Sequence, residues 1–306
     1  MDKSLVTINI PLPDYFTYSA VNIYLIKEEP VTLIDTGPYT ENILLILKKA
    51  FNEHNLLFSD IKRILLTHGH VDHSGLAGYF EKNFGTEVFI HKNDYSKIAS
   101  KNEDKINFKK RTFVNLLEKF GFEKYLIEKL TIFFKDFYKF NKESANPIKI
   151  LNEKTLEFEK SKIKILELPG HTAGSIGFLF NESALISGDT ILNSTFVTPI
   201  LEFDENFKSY KNLKNYYMTL KKILRLKNIK IFPGHGKGDF DFQKKTEELI
   251  KYIEKKALEI KEQLDFSKTL KENFENFVNT SPEKFFFHFS FFYGILEFLE
   301  IEDRFL

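Results

Sequence analysis

Five of the eight histidines in this chain fall in three short glycine-bearing segments, each following an apolar run. The densest is Thr67-His68-Gly69-His70-Val71-Asp72-His73. Residues two apart in an extended segment point the same way, so His68 and His70 can grip one cation together. Asp72 and His73 lie farther along and suit a second. Gly69 is expected to let the backbone turn tightly between the two imidazoles. Pro169-Gly170-His171-Thr172-Ala173-Gly174-Ser175 offers another imidazole, and Pro233-Gly234-His235-Gly236 a further one. Between them, Ser187-Gly188-Asp189-Thr190 ends an apolar run on a carboxylate. Its two oxygens can serve different metals, which makes Asp189 the natural bridge. Neutral imidazole and carboxylate are the ligands of zinc, iron or manganese. An isolated histidine after a strand is usually a loop or core residue, but a dense His-x-His-x-Asp-His cluster seldom serves packing alone. The inventory is three terminal ligands for each of two ions and one shared carboxylate.

The segments that must position these residues alternate between strand and helix patterns. Leu5–Ile10, Val21–Ile26, Val31–Asp35 and Ile61–Leu66 read as strands, the third ending in a turn at Thr36-Gly37-Pro38. Ile43, Leu44, Leu47 and Phe51 recur at helical spacing over Glu41–Glu53, and a short helix is expected over Ser74–Phe84 before a strand at Glu87–His91. Lys92–Asn146 is rich in Lys, Glu and Phe with helical periodicity, and reads as a helical insertion ending at Asn146-Pro147. Strands resume at Ile148–Leu151, Thr155–Phe158, Ile163–Leu168, Ile176–Phe180 and Ala184–Ser187. A long amphipathic helix is expected over Phe207–Leu226 and a last strand over Ile229–Phe232. From Asp241 the pattern is helical, broken at Thr280-Ser281-Pro282. Strand groups alternating with helices indicate an α/β layered core.

Composition sets limits on the partners. The chain carries 44 basic and 43 acidic residues over 306 positions, a net charge of +1, which gives no general attraction to a polyanion. Nucleic acid is therefore not the expected partner; a small molecule is. With no cysteine, disulfides, thiolate metal sites and catalytic thiols are excluded. Met1–Asp14 lacks a basic start followed by an apolar stretch, and Phe285–Leu299 is interrupted by His288, Ser290 and Glu297. A soluble, cytoplasmic protein that does not enter membranes is expected. His54, His91 and His288 are assigned structural or surface roles.

The ordered set His68-Gly69-His70-Val71-Asp72-His73, Gly170-His171-Thr172, Gly188-Asp189 and Pro233-Gly234-His235 resembles the metallo-β-lactamase-fold hydrolase superfamily, in particular its hydroxyacylglutathione-hydrolase-like, thioesterase-like and lactonase-like members. Asn22-Ile23-Tyr24-Leu25 and Leu33-Ile34-Asp35-Thr36-Gly37 are similar to its opening strands. The resemblance covers about residues 5 to 240. It implies an α/β fold, a four-layer αββα sandwich, over 1–240 with the helical insertion at 92–146. Residues 241–306 then form a helical segment that resembles the winged-helix-like tail of some relatives. It implies two divalent metal ions, zinc first, with iron or manganese as alternatives. His68, His70 and His171 would form the first site, Asp72, His73 and His235 the second, with Asp189 between. Asp35 resembles the family's buried supporting carboxylate, against the plain alternative of a turn residue after a strand.

The chemistry implied is hydrolysis of an ester, thioester or lactone by a metal-bridging hydroxide, since two cations about 3.5–4 Å apart make hydroxide available near neutral pH. Asp72 would orient the hydroxide proton and help protonate the leaving group. Two competing readings stay open: a mononuclear-iron persulfide dioxygenase, and a phosphodiesterase or nuclease of the same fold. The insertion's aromatic cluster, Phe133, Phe134, Phe137, Tyr138 and Phe140, reads equally as a lid lining an acyl pocket, as a homodimer contact, or as a satellite core.

Overall fold

The first half of the chain folds as strands β1 (Leu5–Pro11), β2 (Ala20–Ile26) and β3 (Thr32–Ile34), helix α1 (Glu41–Glu53), strand β4 (Arg63–Leu65), helices α2 (Val71–Ser74) and α3 (Ala77–Phe84), and strand β5 (Glu87–Ile90). The insertion follows as α4 (Tyr95–Ala99), α5 (Asn102–Lys109), α6 (Asn115–Lys119) and α7 (Lys124–Tyr138). Strands β6 (Ile148–Ile150), β7 (Thr155–Glu157), β8 (Lys162–Glu167), β9 (Ile176–Phe180) and β10 (Ala184–Gly188) come next. Helix α8 (Asn212–Ile223), strand β11 (Lys230–Pro233) and helices α9 (Phe242–Gln263), α10 (Leu270–Phe277) and α11 (Pro282–Phe298) complete the chain. This computed structural model describes residues 4–141, 148–193, 196–278 and 281–305. The expected insertion end at Asn146-Pro147 and the break at Thr280 lie outside them.

The strands form a six-stranded sheet ordered β1-β2-β3-β4-β5-β6 and a five-stranded sheet ordered β11-β10-β9-β8-β7. Side-chain alternation turns the two sheets into four layers. Along β2, Tyr24 and Ile26 enter a core shared with Phe178, Phe180, Ile186 and Phe232 of the second sheet. Val21, Ile23 and Leu25 face the other way and pack with Ile43, Leu47 and Phe51 of α1 and with Phe80 of α3. On the second sheet, Leu179, Leu185 and Ile231 face outward and pack with Leu213, Tyr216 and Leu220 of α8. Helix, sheet, sheet and helix therefore succeed one another, as expected.

The expected helix over Phe207–Leu226 begins late, at Asn212. Phe207 and Lys211 hold φ of 62° and 53°, left-handed values that break a right-handed helix. The helix expected over Ser74–Phe84 is split: Val71–Ser74 closes a turn of its own, with Ser74 Oγ donating to the His70 carbonyl at 2.8 Å, and α3 starts only at Ala77.

The insertion and the C-terminal helices share a single core. Phe113 and Phe134 meet Phe286 at ring-centroid separations of 4.9 and 5.2 Å, and Phe122 meets Phe285 and Phe289 at 5.2 and 5.5 Å. These edge-to-face contacts are the favourable arrangement for aromatic rings. Phe133, Phe137 and Phe140 spread instead over Tyr15 and Phe16 near the start of the chain. Among the described residues after Asp241 no strand occurs, so the tail is helical without a wing. No described helix is long and apolar enough to cross a membrane. Phe289 is fully buried where insertion and tail meet. Phe289→Ala should cost about 3–5 kcal/mol in urea unfolding; a loss under about 1 kcal/mol would show this junction to be loosely packed.

Candidate metal centre

One edge of the sandwich collects every loop that carries the histidine motifs. Strands β3, β4 and β5 run parallel, as do β10 and β11, so their C-terminal ends gather on the same side. The β8–β9 turn arrives there because β9 runs antiparallel to β10. A hydrogen bond from Ile176 N to the Thr67 carbonyl, 2.9 Å, ties the two sheets together at that edge. His68 and His70 follow β4, while Asp72 and His73 sit in α2. His171 lies in the β8–β9 turn, Asp189 just past β10, and His235 just past β11.

All seven side chains converge. Ligand-capable atoms of His68, His70 and His171 lie within 4.8 Å of one another, as do those of Asp72, His73 and His235, and those of His68, His73 and Asp189. Asp189 reaches both groups: one carboxylate oxygen is 3.4 Å from His73 Nε2, and the other is 3.3 Å from His235 Nε2 and 3.7 Å from His171 Nε2. Asp72 Oδ2 lies 3.4 Å from His235 Nε2.

The partners on the far side of each ring decide which nitrogen faces inward. His73 Nδ1 donates to Asp35 Oδ2 at 2.8 Å, His171 Nδ1 to the Thr198 carbonyl at 3.0 Å, and His235 Nδ1 to the Ala20 carbonyl at 2.7 Å. Each acceptor is an oxygen with no proton to give, so a neutral ring keeps its lone pair on Nε2. Thr67 Oγ1 spends its proton on Asp35 Oδ2, 2.8 Å away, and so accepts from His68 Nδ1 at 3.1 Å. His68 Nε2 is thereby also a lone pair, buried and without a hydrogen-bond partner.

The inward ring nitrogens face one another. His73 Nε2 and His235 Nε2 are 3.2 Å apart, and His171 Nε2 is 2.9 Å from His70 Nδ1. Two nitrogens on one tetrahedral zinc, each bonded at about 2.0–2.1 Å, stand roughly 3.3 Å apart. Asp189 Oδ1 is likewise buried without a hydrogen bond. Unpartnered buried polar atoms are costly, and here they are aimed at a common centre. The donor set fits metal ions.

Electrostatics divide the cluster. Burial pushes His68, His70 and His171 below the ordinary histidine range, with neighbouring rings adding to the effect on His68 and His70. Burial acts the same way on His73, but Asp189, Asp35 and Asp72 outweigh it and hold that ring well above the ordinary value. His235, also buried, is pushed up to about 9 by Asp189 and Asp72. Asp189 is buried too, yet His235 and His73 hold its carboxyl well below the usual range. Asp189 thus favours the protonated form of His73 and His235, and a metal ion held there would take the place of those protons.

Asp35 settles as the supporting carboxylate rather than a turn residue. It is buried, holds φ of 60°, and accepts from Thr67 N at 2.8 Å besides His73 and Thr67 Oγ1. The expectation for Gly69 needs correction. Its φ is not left-handed; a Cβ there would lie 2.8 Å from Lys97 Cβ, so close approach and not a turn requires glycine. Sequence reading placed Asn22 in an opening strand but gave it no role at the site; its Nδ2 donates to the Pro233 and Gly236 carbonyls at 2.9 and 2.8 Å and pins the His235 loop to β2. Tyr18, stacked on His235 at 4.0 Å, was passed over. A polar residue inside an apolar strand was the available signal for Asn22; none marked Tyr18.

His91 caps the turn at Lys92–Asp94, and His54 ends α1, both in structural positions. Replacing Asp35 by alanine should destabilise the chain by about 3–5 kcal/mol, because His73 Nδ1 and Thr67 N lose a buried charged partner. Urea unfolding checks this, and a variant as stable as the parent would refute the supporting role.

Residues 17–235 match the family described as the metallo-beta-lactamase superfamily. The chain is 31% identical to a probable metallo-hydrolase, YqjP, of Bacillus subtilis, over 76% of this chain and 72% of that protein. It is 29% identical to the hydroxyacylglutathione hydrolase GloC of Haemophilus influenzae, over 68% of this chain and 81% of that one. Its structure superposes on the metallo-beta-lactamase family protein TTHA1429 of Thermus thermophilus with a TM-score of 0.79 and 25% identity, covering 98% of this chain and 94% of that one. On fold, on the order of its motifs and on these likenesses, the chain belongs to the metallo-β-lactamase superfamily.

Proposed function

We propose that this protein is a dinuclear metal-dependent hydrolase of esters, thioesters or lactones. The observation that carries the reading is the set of inward-facing ring nitrogens 2.9 and 3.2 Å apart, three of the four backed by an oxygen acceptor behind the ring. His68, His70 and His171 would hold one cation and Asp72, His73 and His235 the other, with Asp189 offering an oxygen to each. Zinc suits an all-nitrogen and oxygen donor set without cysteine, and iron or manganese are the alternatives. Two such cations, when bound, would supply a nucleophile from water near neutral pH and polarise the oxygen of the electrophile.

The protein's own groups do the rest. Asp72 sits where the cluster opens, its side chain 13% exposed against 4% or less for Asp189 and His235. It is the carboxylate able to orient a proton of the attacking water and return one to the leaving group. Burial would raise its carboxyl pKa, but His73 and His235 bring it below the usual range, so it is an acceptor at neutral pH. Asp35 and the Thr198 and Ala20 carbonyls hold the rings, so the donor set needs little rearrangement on binding. The likeness to a hydroxyacylglutathione hydrolase supports a thioester among the substrates.

Turnover on a panel of thioesters, lactones and phosphodiesters should fall to background on chelation and return with zinc, without oxygen. Asp72→Ala should lower turnover about 100-fold or more with an unchanged circular dichroism spectrum. Full turnover after chelation, or in that variant, would overturn the reading. Oxygen consumed in step with a persulfide would replace it with the dioxygenase.

A further inference from the structure

Asp94 is fully buried, yet it spends its carboxylate on chain segments far from its own. Oδ2 accepts from Gly69 N at 2.7 Å, the amide between His68 and His70. The same oxygen accepts from Thr172 Oγ1 at 2.8 Å, next to His171. Oδ1 accepts from Gly174 N at 3.0 Å and from Lys97 Nζ at 2.6 Å. A carboxylate has lone pairs for about four donors, and here four are used.

Lys97 extends the connection. Its ammonium also pairs with Glu202 Oε1 at 2.7 Å, and Glu202 Oε2 accepts from Ala173 N at 2.9 Å. Glu202 lies just beyond Ile200, whose amide donates to the His171 carbonyl at 3.1 Å. The loop of His171 is therefore held at Thr172, Ala173 and Gly174 by one buried ionic cluster, and the loop of His68 and His70 is held at Gly69 by the same cluster. Packing is equally close: a Cβ on Gly174 would lie 2.6 Å from Asp94 Cγ, and one on Gly69 2.8 Å from Lys97 Cβ and Cδ.

We propose that Asp94 is a positioning residue that locks the His68–His70 loop to the His171 loop, setting the spacing of the three imidazoles of one metal site. The inference rests on the dinuclear reading and extends it to a residue in the insertion that belongs to no ligand motif. The other trio hangs on supports other than Asp94: Asp35 behind His73, which also backs His68 through Thr67, and Ala20 and Asn22 behind His235. Loss of Asp94 should loosen one site and spare the other, whereas a residue serving only general stability would affect both alike. Asparagine at position 94 keeps the shape but turns an NH2 group toward an N–H or O–H donor, so it breaks the junction without opening a cavity.

The test is titration of metal-free protein with cobalt(II) against a competing chelator, following stoichiometry and the absorption of each bound ion. In Asp94→Asn one of the two binding steps should weaken by about 10–100-fold and the other should hold. Thr172→Val, which removes a single donor, should weaken the same step by less. Equal weakening of both steps, or of neither, overturns the proposal. If the parent protein takes up one ion only, the dinuclear reading falls, and the positioning role stands or falls on whether that single step weakens. Amide hydrogen exchange in the metal-free proteins gives a separate readout. Exchange at Gly69 and Gly174 should quicken about tenfold or more in Asp94→Asn, and unchanged exchange overturns the proposal whatever the metal content.

Discussion

An imidazole can present a lone pair to a cation only when its other nitrogen holds the proton, and that constraint organises this molecule. The Asp35 carboxylate fixes His73 directly and His68 through Thr67. Backbone carbonyls of Thr198 and Ala20 fix His171 and His235. Those oxygens come from the first sheet, from the loops at its strand ends and from a loop after β10, so the tautomers are set by the folded state and not by local sequence. Without them, rings this close would adopt mixed tautomers and hydrogen-bond to one another.

The fold meets the constraint by bringing strand ends to a common edge. Parallel pairing of β3 with β4, and of β10 with β11, places Asp35, His68, Asp189 and His235 at neighbouring strand ends. Alternation within each strand then secures the edge, since one face fills the space between the sheets while the other is covered by helices. The aromatic junction of insertion and tail adds mass to the outer layer of the second sheet. Through Lys97 and Glu202 the insertion is also connected to the loop of His171, so this packing and the spacing of the imidazoles are not independent.

Strands ending in histidine-bearing loops were legible because two signals coincide there: an apolar run that stops, and a dense set of imidazoles after it. The long helix α1 was legible through its apolar spacing; the Thr40 cap that starts it is seen only in the structure. Asp94 was not legible, because a lone aspartate in a lysine-rich helical segment looks like a solvated surface residue until the fold buries it. The purpose of Gly69 was misjudged for the same reason: what presses on it is Lys97, distant in any reading of local conformation. The late start of α8 was hidden too, since nothing in the local residue types announces the left-handed values at Phe207 and Lys211. For Asp94 and Gly69 the missing information was a contact between segments far apart in the chain.

Diffraction from crystals grown with zinc, recorded on either side of the zinc absorption edge, tests the central claim most directly. The account predicts two anomalous peaks per chain, one among His68, His70 and His171 and one among Asp72, His73 and His235, with Asp189 reaching both. A single peak, or peaks seated away from these side chains, would contradict it.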